Sequence, residues 1–181
     1  PREVINNPLF QWQVHGNYCY AICAKTNQLH RYEAAAPQKS TPISILSQPL
    51  PVSFQAPTMQ FTDGVGCIFE KGKADLYLFE WDDNGNGRQK TLSFVSQDNS
   101  ARPILNLWAL SSDELLLEIS GSEMVCLKPR DQLSINETRV RWRRKMNWGD
   151  RPFGSYKQYS KIDMLKLSNG DILGFGFLIA E

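Results

Sequence analysis

Residues 162–181 read "IDMLKLSNGDILGFGFLIAE": an apolar run, a turn built from Ser168, Asn169, Gly170 and Asp171, and a second apolar run. Glycine, Asn and Asp supply the backbone conformations that reverse a chain, so the pattern predicts a β-hairpin. The same grammar occurs three more times, in "FQWQVHGNYCYAIC", "PTMQFTDGVGCIFE" and "LNLWALSSDELLLEI". Aligned on Gly16, Gly64, Asp113 and Gly170, the units are 48, 49 and 57 residues apart. A repeat near 50 residues signals stacked supersecondary units, none of which can bury its apolar faces alone.

A third strand is predicted after each of the first three hairpins, at "NQLHRYEA", "ADLYLFEW" and "EMVCLKP", and a fourth at "ISILS", "KTLSFV" and "TRVRWRR". Second strands such as "ELLLEI" are nearly continuously apolar, as required when a sheet is covered on both faces. Helical periodicity is missing, and ten prolines and twelve glycines punctuate the runs. The expected fold is all-β and β-propeller-like, with about three and a half four-stranded blades. A β-trefoil and a β-sandwich are the alternatives. Residues 1–181 then form a single all-β domain or part of a larger propeller.

The third unit, "LSSDELLLEISGSEMVCLKP", resembles a WD40 repeat in its acidic turn, apolar strand, Gly-Ser break and apolar third strand. The second unit closes its third strand with Trp81-Asp82, the dipeptide that names that family. The resemblance implies a propeller that presents loops to a partner.

Composition excludes little. With 41% hydrophobic and 22% charged residues and a formal charge of +1, the chain is an ordinary globular sequence with no global bias toward nucleic acid. No apolar run reaches the ~18–20 residues of a membrane helix, the opening "PREVINNPLF" lacks the apolar region of a signal peptide, and a cytoplasmic location is expected. A start at Pro1 and an end inside a strand-like run suggest a piece of something longer. The rest of that chain, or another subunit, is expected to complete the propeller.

Cys19, Cys23, Cys67 and Cys126 form no C-x-x-C pair, so no zinc site or other cofactor is expected. Cys19 and Cys67 fall three residues past their turns, where other units carry Leu116 and Leu173, and both are expected in the core. "DDNGNGRQK" places Asp82, Asn84, Asn86 and Gly87 like the first half of a calcium loop. Lys90 and Ser93 then stand where the loop needs oxygen ligands, so a bare turn is the expectation and Asp82, Asn84 and Asn86 are a weak metal candidate.

No nucleophile elbow, H-E-x-x-H or phosphate loop is present, His15 and His30 lie in unrelated contexts, and Asp113 and Glu114 read as ordinary turn acids. The strongest local deviation is "ETRVRWRRKMNWGDRPFGSYKQY". Alternation along a strand puts Arg139, Arg141 and Arg143 on one face, with Val140 and Trp142 on the other. Arg144, Lys145, Trp148 and Arg151 extend this basic, aromatic stretch. Guanidinium groups and indoles are the side chains that dominate protein interfaces, and they also grip phosphates and stack bases. The expected function is a non-catalytic interaction module whose partner is another protein with an acidic surface. The alternatives are a polyanion-binding domain (RNA or phosphoinositide) and an enzyme with a carboxylate site in a propeller pocket.

Overall fold

The computed structural model describes residues 10–23, 27–35, 43–44, 50, 54–62, 64–81, 87–121, 123–135, 140–145 and 159–178. Three antiparallel four-stranded sheets follow one another along the chain. The first holds β1 (Phe10–His15), β2 (Tyr18–Cys23), β3 (Gln28–Glu33) and β4 (Ile43–Ser44); the second β5 (Thr58–Thr62), β6 (Val65–Phe69), β7 (Asp75–Trp81) and β8 (Gly87–Ser93). The third holds β9 (Ile104–Ser111), β10 (Glu114–Ile119), β11 (Glu123–Leu127) and β12 (Trp142–Lys145), and a hairpin of β13 (Tyr159–Lys166) and β14 (Ile172–Leu178) comes last. The first strands β1, β5, β9 and β13 approach one another in series, as the inner strands of propeller blades do around their axis. The fold is all-β and propeller-like, with three four-stranded blades and half of a fourth among the described residues.

All four predicted hairpins form, and Gly16, Gly64 and Gly170 hold φ of +57°, +75° and +91°, where a Cβ would be strained. Their loops differ in one detail. Gly16 is the first residue of the two-residue loop between paired His15 and Tyr18, whereas Gly64 and Asp113 are the second residues of theirs. Aligning on these residues therefore slips the first unit by one position, and a one-residue slip exchanges the two faces of a strand. Cys67 and Leu116 are buried toward the next sheet, as expected. Tyr20 holds their equivalent position, while Cys19 lies on the opposite face and is only half-buried. Leu173 is also half exposed.

The seams differ in chemistry. Between the first and second sheets the core is aromatic: Phe61 lies with its ring centroid 4.4 Å from His15, 4.7 Å from Tyr20 and 5.6 Å from Phe79. Gly66 and Gly87 sit directly across from Phe79 and Trp81, and a Cβ at either glycine would collide with the facing ring. Between the second and third sheets the core is mainly aliphatic, with Val65, Leu76, Leu78 and Leu92 meeting Leu115, Leu117 and Val125, all at most 1% exposed. Each such side chain contributes on the order of 1.5–3 kcal/mol by leaving water.

One element was not foreseen in the sequence: α1 (Pro129–Ser134), between β11 and β12. Proline fits the first turn of a helix, but six residues are too few to show a helical period. The helix ties the third unit back to the second sheet. Arg130 stands 3.3 Å from Glu80, Arg88 donates to Ser134 Oγ at 2.9 Å, and Lys90 donates to the Ile135 carbonyl at 2.8 Å. The fourth strand of this unit comes later than "TRVRWRR" suggested, starting at Trp142. No helix among the described residues is long and apolar enough to cross a membrane.

Candidate binding face on the third sheet

Strand β12 is the outermost strand of the third sheet and pairs with β11 through Cys126↔Trp142, Val125↔Arg143, Met124↔Arg144 and Glu123↔Lys145. Trp142 packs with Leu116, Met124 and Cys126 against Met164 and Ile172 of the final hairpin. This small apolar cluster floors a groove of about 880 Å³ between β12 and the hairpin, with Arg143 and Arg144 among the groove residues. Arg144 and Lys145 are exposed and have no ion-pair partner among the described residues.

The other two described arginines of the stretch are committed elsewhere. Arg141, which precedes the strand, pairs with Glu114, whose side chain is 3% exposed; Lys166 from β13 takes the second oxygen of the same carboxylate. Arg143 Nε lies 2.9 Å from Glu123 Oε1, close enough to pair but not aligned as a hydrogen bond, while Arg102 binds the other oxygen. Arg141 and Arg143 thus reach carboxylates at opposite ends of the sheet rather than sharing a solvent face, although about half of each side chain is exposed. The bend at Arg141 lies outside the strand, so the alternation assumed for it does not apply. A second hollow of about 700 Å³ lies beside Asp98, Arg102, Glu123 and Arg143.

Glu114 is the residue sequence reasoning undervalued. It heads β10 on the same face as Leu116, which looks at the final hairpin, whereas Asp113 beside it is a turn acid as expected. A hydrogen bond from Lys128, then one from Ser111, holds the Asp113 carboxyl below its ordinary range. The available signal was the spacing of Glu114 and Glu118 on one face of an otherwise apolar strand. Because Glu114 and Glu123 sit at opposite ends of the sheet, they do not form the close carboxylate pair that glycoside chemistry needs.

Arg139, Trp148 and Arg151 lie outside the described residues, as do Asp82, Asn84 and Asn86 of the calcium-like loop. Gly87, at the end of that loop, begins β8. No group of three or more His, Cys, Asp or Glu suited to a metal ion occurs among the described residues. His15 stacks on Phe61, and burial lowers the pKa of His30. Burial pushes the Cys67 thiol far up and the Cys19 and Cys126 thiols up less far.

No protein-family profile matches the chain, and no curated protein does. Among solved structures, the chain is similar to the periplasmic gluconolactonase of Pseudomonas aeruginosa, with a TM-score of 0.51 and 14% sequence identity. The match covers 91% of this chain and 50% of that one, so the chain spans about half its length. At this identity the likeness concerns the fold.

Proposed function

We propose that the chain is a non-catalytic interaction module in which β12 and the groove beside it hold an acidic, partly apolar segment of another protein. One observation carries this reading: Arg144 and Lys145 stand exposed and unpaired among the described residues, next to a groove floored by Trp142, Met124 and Met164. Unpaired cations at a rim steer an acidic partner, and a desolvated indole anchors it. A WD40-like scaffold role goes with this reading, supported by Trp81 closing the third strand of the second sheet. A cytoplasmic setting goes with it too, supported by Cys67 and Cys126, buried cysteines that join no disulfide.

The test is fluorescence anisotropy with a labelled peptide of alternating Glu and Leu. The wild-type chain should bind it, and R144S/K145S should weaken binding about tenfold or more without changing the melting temperature. Poly-uridine RNA and vesicles containing phosphatidylinositol bisphosphate run in parallel. Tighter binding to either, with a steep salt dependence that the double variant flattens, would replace the acidic peptide with a polyanion.

The likeness to a propeller-like gluconolactonase supports a second reading, an enzyme working in a propeller pocket. Proton release from gluconolactone, measured with a pH indicator, separates the two: turnover by the wild-type chain favours the enzyme.

A further inference from the structure

The connection from β8 to β9 holds a carboxylate in a fixed position. Asn99, at φ +61°, closes a tight loop in which the Ser96 amide donates to the Ser100 carbonyl at 3.0 Å and Val95 bridges to Ala101. Asp98 Oδ1 accepts hydrogen bonds from Ser96 Oγ, from the Ser100 amide at 3.1 Å and from the Ser100 hydroxyl at 2.8 Å. All three end on Oδ1, so Oδ2 accepts none from these residues. The same bonds hold the carboxyl at about 2, so it is ionised at neutral pH.

Asp98 lines the hollow of about 700 Å³ together with Val95, Gln97, Arg102, Glu123 and Arg143. Arg143 alternates with Trp142 and Arg144 and pairs with Val125, which belongs to the apolar layer shared with the second sheet. Three charged groups here have unused capacity. Glu123 is 9% exposed, and while Arg102 binds its Oε2, its buried Oε1 accepts no hydrogen bond. Arg143 approaches that oxygen through Nε alone, and its two Nη groups have no partner among the described residues. Asp98 is the third, through Oδ2. Two cations and two carboxylates balance, yet Asp98 forms no ion pair with either arginine among the described residues.

We infer that this hollow binds a free α-amino acid with an apolar side chain. A ligand of net negative charge would be opposed by Asp98, and one of net positive charge by Arg143. A zwitterion suits both. Its carboxylate takes the two Nη groups of Arg143 as a fork, and its ammonium donates to Asp98 Oδ2 and Glu123 Oε1. Val95, 47% exposed, offers apolar contact to the ligand's side chain. The loop's own hydrogen bonds place Asp98 beforehand, which lowers the cost of ordering it on binding. The inference does not rest on the groove that holds the acidic segment.

Titration calorimetry at pH 7 with L-leucine, L-valine and L-methionine tests it. At least one should bind, and for leucine, leucinamide (no carboxylate) and 4-methylpentanoate (no ammonium) should each bind about tenfold or more weakly. Asp98→Asn and Arg143→Gln, from opposite sides of the hollow, should each weaken binding by a similar factor. Near-ultraviolet circular dichroism checks that both variants remain folded, and the two substitutions lie on separate elements, so loss of one fold leaves the other as the test. No binding of the three amino acids at about 10 mM, equal binding of either truncated compound, or affinity unmoved in a folded variant would overturn the inference.

Discussion

The seam between the second and third sheets and the seam between the third sheet and the final hairpin use one supersecondary plan with two chemistries. The first is an apolar layer in which Leu78, Leu92, Leu115 and Leu117 are at most 1% exposed. The second has a small apolar cluster and, beside it, the carboxylate of Glu114 held by Arg141 and Lys166. Apolar burial is non-directional and stabilises in proportion to area. An ion pair removed from water adds little net stability but is costly when left incomplete, so it favours one placement of the hairpin over others. The contrast separates a seam that supplies stability from one that supplies register.

The largest effect should come from Leu117→Ala in the aliphatic seam, about 2–5 kcal/mol by urea unfolding, with the second and third sheets lost together. Glu114→Ala should cost about 1.5–3 kcal/mol and speed amide exchange in β13 and β14 while β6 and β7 stay protected. Equal acceleration in all four strands would erase the distinction between the seams. Removing a cation instead is milder. With half of the Arg141 side chain exposed, Arg141→Ser should cost about 0–1 kcal/mol, since Lys166 still serves the carboxylate.

Thiol labelling sharpens the comparison without changing stability. Cys19 should react first in the native protein, and Cys67, inside the aliphatic seam, only on global unfolding. Cys126 borders the hairpin seam, so Glu114→Ala should raise its rate and leave that of Cys67 unchanged. The smallest effect lies outside both seams. Hydrogen bonds from Ser96 and Ser100 hold the Asp98 carboxyl at about 2, below its ordinary 3.8. A depressed carboxyl stabilises the fold above its unfolded pKa, and that contribution disappears as pH falls from 3.8 toward 2. Asp98→Asn should therefore flatten acid unfolding slightly in that window.

Much of the architecture was legible because it is local. A hairpin needs a reversal and two flanking extended runs, and Gly16, Gly64 and Gly170 announce the reversals by residue type. The helix Pro129–Ser134 was not legible, since six residues hold less than two turns and its ties run to Glu80, Arg88 and Lys90, about forty or more residues away. Of the proposed binding stretch, the exposure of Arg144 and Lys145 agreed with composition, while the partners of Arg141 and Arg143 did not show in it.

The sequence by itself determined where the hairpins reverse, how many sheets recur and that second strands such as β10 are apolar on both sides, because backbone preference and period-two alternation act over a few residues. Which face each strand turns to its neighbour depended on a single position in a two-residue loop, so Tyr20 rather than Cys19 entered the seam. The destination of each charge depended on which carboxylate a distant strand brought within reach, and Glu114 found Lys166 across 52 residues. Burial and Coulomb energy are properties of three-dimensional neighbourhoods, and only the tertiary structure creates them.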